Sequence, residues 1–221
     1  MSAPVSLIEA SAQFDLIETM AFDPEIGLPL LDLHLDRLAR SADLLGFRLN
    51  RHALRNELQA ATFGIVEPSR VRLLLGRNGE IAIEVSKALV WPEAVMPVAI
   101  VPRGCAADDL RLRHKTTDRR IYQAALAAAG AAEALMIDHE GYLTEGSYWS
   151  LFVERDGLLL TPPLARGLLP GVLRQSLIES GVAIEADLTP DDLADGFQIG
   201  NAARGLTAAK LVEAGLVAPG G

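Results

Sequence analysis

The chain has a single cysteine, Cys105, among 221 residues. It therefore cannot build an intrachain disulfide framework or a multi-cysteine zinc cluster, and a reducing compartment such as the cytoplasm suits it. Its four histidines, His34, His52, His114 and His139, show no paired metal-ligand spacing, so no metal site is expected. GxGxxG and Walker-type loops are missing, which leaves dinucleotide binding without a motif. Ser147 and Ser176 lack a nucleophile-elbow context, which disfavours serine hydrolysis. No apolar run reaches the roughly 18 residues that span a bilayer, and Met1 to Ala10 carries no basic run before an apolar stretch, so neither membrane insertion nor secretion is expected. Positive charge is short: 20 Lys and Arg face 29 Asp and Glu, a net charge of −9. Such a field repels duplex phosphates, and no nucleic-acid partner is expected. Lysine is scarcest of all, with Lys87, Lys115 and Lys210 against 17 arginines.

What is present is a core. Half the residues are hydrophobic, 22% are charged, and the mean hydropathy is +0.23, the profile of a folded globular chain. The length suits two modest domains, since domains run to about 100–200 residues. Phe14 to Met20 reads as a strand, and Leu31, Leu35, Leu38, Ala42 and Leu45 recur at helical spacing up to a stop at Gly46. A second helix is expected over His52 to Ala61, then a hairpin turning at Asn78-Gly79, then a strand over Val95 to Val101. The break at Pro102, Arg103 and Gly104 places a domain boundary between residues 105 and 106. Beyond it, Thr116 is the expected N-cap of an alanine-rich helix through Ala132. ALMIDHEGYLTEG then reads as strand, turn and strand, and SLFVERDGLLLTPP as a hairpin at Asp156-Gly157. GLLPGVLRQSLIESG is a loop entering a helix that ends near Gly181; Leu193 to Leu211 is the last ordered stretch, and the tail from Ala218 looks frayed.

Three constellations could carry chemistry. In RLRHKTTDRR, Arg111, Arg113, Lys115, Arg119 and Arg120 crowd positive charge around one lysine. Crowding of this kind favours the neutral amine, which can act as a nucleophile or Schiff-base partner; the alternative is a solvated basic strand end, the commoner fate of a charge cluster. In GLLPGVLR, the start of a helix offers the backbone N–H groups of Val172 and Leu173 to an anion, as nearly every loop-to-helix junction does. In TEGSYWSLF, Glu145 sits among apolar and small residues, either to pair with a cationic ring nitrogen or as an ordinary edge residue.

Taken in order, LIETM, HLDRL with SADLLGF, HKTTDR, YLTEGSYWSLF, LLTPPL, LLPGVLR and GNAARG resemble the fold-type-IV enzymes of pyridoxal 5′-phosphate (PLP), the class IV aminotransferases and 4-amino-4-deoxychorismate lyases, from Phe14 to about Leu211. The resemblance implies an α+β fold like that of D-amino acid aminotransferase. A small α+β N-terminal domain (1–105) and a larger, barrel-like C-terminal domain (106–221) would hold PLP between them, in a homodimer. It also implies roles. Lys115 would carry PLP as an imine and later shuttle a proton, and Glu145 would face the pyridine nitrogen and keep it protonated. Arg37, on HLDRL, would contact the phosphate together with the backbone of Val172 and Leu173 and the Asn201-Ala202 segment; without the resemblance, Arg37 reads as a solvated helix residue. The chain departs from the pattern at Ser150, where many members carry Asn, and at Leu173, where Thr is frequent.

Among these enzymes the chain is most similar to the lyases with H-K-T-T-x-R-x-x-Y, G-L-L-P-G-x-x-R and N-x-x-R-G. That resemblance implies elimination of pyruvate to leave 4-aminobenzoate, a folate precursor. Arg111, Arg113, Arg120 and Arg204 are the candidates for binding substrate carboxylates. Transamination of a branched-chain or D-amino acid would need the same Lys115, Glu145 and phosphate clamp. A degenerate homologue that binds PLP without turnover is the third reading.

Overall fold

The computed structural model describes residues 14–214. The expectations for Met1 to Ala10 and for the tail from Ala218 fall outside these residues. The first sheet is antiparallel in the order β1 (Leu16–Phe22), β2 (Ser69–Leu75), β3 (Ile81–Lys87). Along β2 the side chains alternate strictly, so Val71, Leu73 and Leu75 point inward while Arg70 and Arg72 face the other way. The β2–β3 hairpin turns where expected, with Gly79 at φ +90°, a conformation glycine adopts without penalty. Helices α1 (Leu31–Leu45) and α2 (Arg51–Thr62) share a core with this sheet, in which Leu35, Leu38, Leu54 and Leu58 join Leu16 and Leu73. Gly46, at φ +71°, ends α1 by turning its N–H back to the Ala42 carbonyl.

The second sheet comprises β4 (Val95–Pro102), β5 (Glu133–Ile137), β6 (Leu143–Gly146), β7 (Ser150–Arg155), β8 (Leu158–Thr161), β9 (Ala183–Glu185), β10 (Phe197–Asn201) and β11 (Gly205–Leu211). Its order is β10-β11-β4-β5-β6-β7-β8-β9, and β10 also pairs with β7. That extra pairing closes six strands into a ring, with β8 and β9 extending from β7. The fold is thus α+β with a barrel-like sheet. Met96, Val98, Leu135, Leu151, Phe197 and Ile199 belong to one apolar cluster of this sheet. A division at residues 105/106 would assign β4 to the first half, whereas β4 is bonded in parallel to both β11 and β5. We propose that the two units divide earlier, in the 88–94 connection.

The helices α3 (Leu110–Arg113), α4 (Arg120–Ala129) and α5 (Val172–Glu179) complete the structure. The alanine-rich helix is shorter than the sequence suggests at both ends: Gly130, at φ +56°, stops it at Ala129 instead of Ala132, and at its start Thr116 and Thr117 are used elsewhere. Ile17 N–H donates to the Lys115 carbonyl (3.0 Å) and Thr117 N–H to that of Asp15 (2.9 Å), so this stretch pairs with the start of β1 instead of capping α4. Among the described residues no helix is long and apolar enough to cross a membrane.

Candidate active site

One cavity of about 770 Å³, counted to its open mouth, lies where α1, the Lys115 segment, β6, the start of α5 and the β10–β11 turn converge. Pairing with β1 fixes the Lys115 backbone, and a hydrogen-bond contact between His114 Nδ1 and Ser41 Oγ (3.0 Å) ties the preceding residue to α1. The Lys115 side chain lines the cavity. Burial, reinforced by the Arg37 and Arg119 cations, lowers its pKa to about 7, so a large share of the amine is neutral near neutrality.

Glu145 lines the same cavity from β6 and is 4% exposed. Its Oε1 accepts from Tyr122 Oη at 2.8 Å and from the Leu169 N–H at 3.0 Å. Burial still dominates and pushes the carboxyl up to about 7, although both hydrogen bonds and the Arg119 and Lys115 cations oppose this. The site therefore sets a basic and an acidic group at similar proton affinity along one cavity, an arrangement suited to proton transfer.

Arg37 is no solvated helix residue. It is 5% exposed and receives Glu18 in a two-point ion pair, Nε to Oε1 at 2.8 Å and Nη2 to Oε2 at 2.5 Å, while Nη1 donates to the Pro170 carbonyl at 3.0 Å. His34 Nδ1 lies 2.6 Å from Glu18 Oε2. Despite its burial Glu18 is held ionised, with its pKa lowered to about 2 by Arg37 and His34. The pair thus locks the guanidinium beside the loop that enters α5. That helix begins at Gly171 with no side-chain cap, and Gly171, Val172 and Leu173 all line the cavity. Uncapped N–H groups beside a fixed guanidinium make an anion site.

Asn201 and Ala202 also line the cavity. The Asn201 side chain is committed to the turn: Oδ1 accepts from the Ala203 and Arg204 N–H groups, each at 3.0 Å, and Nδ2 donates to the Tyr148 carbonyl at 3.0 Å. One Nδ2 hydrogen and the backbone are what Asn201 has left for a ligand anion. Leu173, where the sequence pattern often has Thr, approaches Gly200; a Cβ there would meet Leu173 Cδ2 at 2.9 Å and Leu206 Cδ2 at 2.6 Å.

Of the four arginines expected at the substrate, the structure brings Arg204 to the cavity and leaves Arg111, Arg113 and Arg120 outside its lining. Arg111 is held by Asp109 and Arg120 by Asp118, each at 2.6 Å, and Arg113 is exposed. The cavity gains Arg119 instead, stacked between the rings of Tyr122 (4.2 Å) and Tyr148 (4.4 Å). Arg119 and Tyr122 are the Arg and Tyr of H-K-T-T-x-R-x-x-Y, so the signal was in the motif, whereas the charge count pointed equally to their neighbours. Glu18 and His34 carried no chemical signal in the sequence: Glu18 acts by gripping Arg37, and His34, which lines the cavity, contacts Oε2 of the Glu18 carboxylate.

Residues 15–212 match the family described as "Amino-transferase class IV". The chain belongs to the class IV aminotransferase family. Its fold, its PLP dependence and its standing as an enzyme follow from that membership. The "Putative aminodeoxychorismate lyase" of Schizosaccharomyces pombe is 29% identical over 195 residues, covering 84% of this chain and 83% of that one. The crystal structure of a "Putative amino-acid aminotransferase" from Mesorhizobium loti is 37% identical, covers 90% of this chain and 100% of that one, and superposes with a TM-score of 0.82. The "Branched-chain-amino-acid aminotransferase" of Salmonella typhimurium is 28% identical over 110 residues, 38% of this chain and 36% of its own.

The residues present fit PLP. A basic amine, a buried acid, and a guanidinium beside uncapped helix N–H groups answer the aldehyde, the ring nitrogen and the phosphate in turn. Among the described residues, His34 Nε2 and Ser147 Oγ, both of cavity-lining residues, are buried polar atoms with no partner, as expected of a site shaped for a polar ligand.

Proposed function

We propose that this enzyme is a 4-amino-4-deoxychorismate lyase, releasing pyruvate and leaving 4-aminobenzoate for folate synthesis. The observation that carries the PLP chemistry is the joint placement of Lys115 and Glu145 in one cavity, each pushed by burial toward pKa about 7. Among the sequence relatives, the lyase is supported by reach: the Schizosaccharomyces pombe relative named as a lyase is similar along 84% of the chain and the branched-chain relative along 38%. The Mesorhizobium loti structure named as an aminotransferase is similar along 90%, which keeps transamination as the second reading.

Bound PLP supplies an electron sink for the pair left when the carbon bearing the substrate amine loses its proton. Lys115 would hold PLP through Nζ and would take that proton at the same atom; its neutral fraction near pH 7 makes this possible. Glu145, held in place by Tyr122 and the Leu169 N–H, would pair with the ring nitrogen and share its proton. Arg37, braced by Glu18, and the N–H groups of Val172 and Leu173 would hold the phosphate, together with the Asn201-Ala202 segment. The carbon–oxygen bond to the enolpyruvyl group then breaks, the ring becomes aromatic, and the departing enol takes up a proton to become pyruvate. A homodimer and a cytoplasmic setting belong to the same proposal; two-fold pairs are the commonest oligomers, and one free thiol suits a reducing compartment.

The test is the absorbance spectrum of PLP-loaded protein beside Lys115→Ala, followed by addition of enzymatically generated aminodeoxychorismate with pyruvate detection. A Lys115-dependent band with pyruvate release is expected. A band without pyruvate transfers the assignment to transamination, read as conversion of bound PLP to its pyridoxamine form by an amino acid. Absence of a Lys115-dependent band sinks the reading of Lys115 and leaves a PLP-binding homologue without turnover.

A further inference from the structure

Four cations and one carboxylate line the cavity of a chain whose net charge is −9. Lys115 and Arg37 have roles in the preceding reading; Arg119 has none, and Arg204 is the one arginine expected at a substrate carboxylate that reaches the cavity. Among the described residues neither makes an ion pair, although Arg111 and Arg120, close by in sequence, are each held by an aspartate. Arg119 donates one N–H to the Ser147 carbonyl, and among the described residues its buried Nε has no partner. Arg204 sits 4.9 Å from the centre of the Trp91 ring, and its buried Nε likewise has no partner among the described residues. Burial pushes the Glu133 carboxyl up, and the Arg204 charge opposes this only in part.

A guanidinium carries five N–H donors in a flat fork that matches a carboxylate. A buried donor left unpaired forfeits the hydrogen bond it had in water, so two such forks at one cavity are incomplete without acceptors. Both are stacked on aromatic faces, which fixes their planes before a ligand arrives. We propose that Arg119 and Arg204 are two carboxylate-binding positions of one substrate site, so that the enzyme selects an amine bearing two carboxylates over one bearing a single carboxylate. The inference rests on reading this cavity as the PLP site, and it names the specificity that Lys115 and Glu145 leave open. It also bears on turnover. A substrate gripped at both ends gains from the linkage between its two carboxylates, and a cleavage that puts one carboxylate on each product removes that gain. The two monocarboxylate products then leave more readily than the substrate.

The experiment titrates PLP-loaded protein calorimetrically with glutarate, adipate and benzene-1,3-dicarboxylate, beside butyrate, hexanoate and benzoate. At least one dicarboxylate is expected to bind ~10-fold or more tighter than its monocarboxylate counterpart. Arg119→Gln and Arg204→Gln are each expected to erase that ratio while the Lys115-dependent absorbance band persists. Arg111→Gln, outside the cavity, is expected to keep the ratio. If a glutamine variant fails to fold or to hold PLP, Arg119→Lys or Arg204→Lys replaces it; each keeps the charge, loses the fork, and is expected to lower the ratio. Equal binding of both acid classes by the wild type, or a ratio that survives substitution at both positions, overturns the proposal. Pyruvate release measured on the same preparation separates the two readings. Release without a dicarboxylate preference removes the clamp and keeps the lyase. A preference without release keeps the clamp and turns the reaction to transamination of a dicarboxylic amino acid.

Discussion

Glu18 and Arg37 form a buried two-point ion pair, with the carboxylate 1% exposed and the guanidinium 5%. The pair joins β1 to α1 and, through Arg37 Nη1 and Pro170, joins both to the loop entering α5. Glu18→Gln leaves the guanidinium buried without its counter-charge, and loss of one member of a buried pair destabilises by about 3–5 kcal/mol. The expected result is a urea midpoint lowered to match in the PLP-free protein and weaker PLP binding. Because the folded-state pKa of Glu18 lies at about 2, below the ordinary carboxyl value of about 4.5, its contribution is complete above about pH 4.5. It is lost as pH falls through about 2, so acid unfolding of the wild type is expected to steepen across that window and to flatten in Glu18→Gln.

Lys115 and Glu145 act on stability in the opposite sense. The Glu145 pKa is raised, so its contribution is fully present below about pH 4.5 and is lost as pH rises toward about 7. That of Lys115 is lowered, so the folded state regains stability only as pH rises from about 7 toward 10.5. The two effects meet near neutrality, where the PLP-free protein is expected to pass through a local minimum of stability. Lys115→Met or Glu145→Gln is expected to raise stability at pH 7 by about 1–3 kcal/mol while abolishing turnover, a trade common at catalytic sites. Urea titrations of the PLP-free proteins at pH 5, 7 and 9 check this; variants no more stable than wild type at pH 7 would count against the desolvation of these two groups.

Gly146 follows Glu145 directly, and a Cβ there would lie 2.2 Å from Trp149 Cε2. An indole buried in the barrel-like sheet cannot retreat as a flexible chain end can. Gly146→Ala is therefore expected to destabilise by about 1–3 kcal/mol or more and to displace Glu145. Thermal unfolding reads the first effect, and the pH dependence of the PLP absorbance band reads the second.

Much of the fold was legible because its signals are local: helical spacing up to Gly46, the Asn78-Gly79 turn, and the alternation in β2. Closure of the barrel-like sheet was not, since β7–β10 pairing joins residues nearly fifty positions apart and leaves no local mark. Thr116 misled for a related reason. Its N-cap signal is genuine, yet pairing with β1 uses that backbone first. At the site, Lys115 stood out because lysine is rare, and Glu145 because its neighbours are apolar. Arg119 did not stand out among the arginines of its segment. What distinguishes it is stacking on Tyr122 and Tyr148, and Tyr148 reaches it from a distant strand connection.

Tyr122 touches both halves of the proposed chemistry, and two substitutions separate them. Its hydroxyl donates to Glu145 Oε1, and its ring lies under the Arg119 guanidinium. Tyr122→Phe removes only the hydrogen bond, one of the contacts that restrain the Glu145 pKa. That pKa is then expected to rise above about 7, leaving less carboxylate at neutral pH to hold the ring-nitrogen proton. A hydrogen bond to a charged group contributes about 1.5–3 kcal/mol, so kcat at pH 7 is expected to fall by ~10-fold or more, with the alkaline side of the profile recovering part of the loss. The dicarboxylate preference should survive, because the aromatic face beneath Arg119 remains. Tyr122→Leu removes hydroxyl and ring together and is expected to lower kcat and the preference at once. If Tyr122→Phe instead lost the preference at unchanged kcat, the hydroxyl would be serving the substrate site, and its assignment to Glu145 would fall.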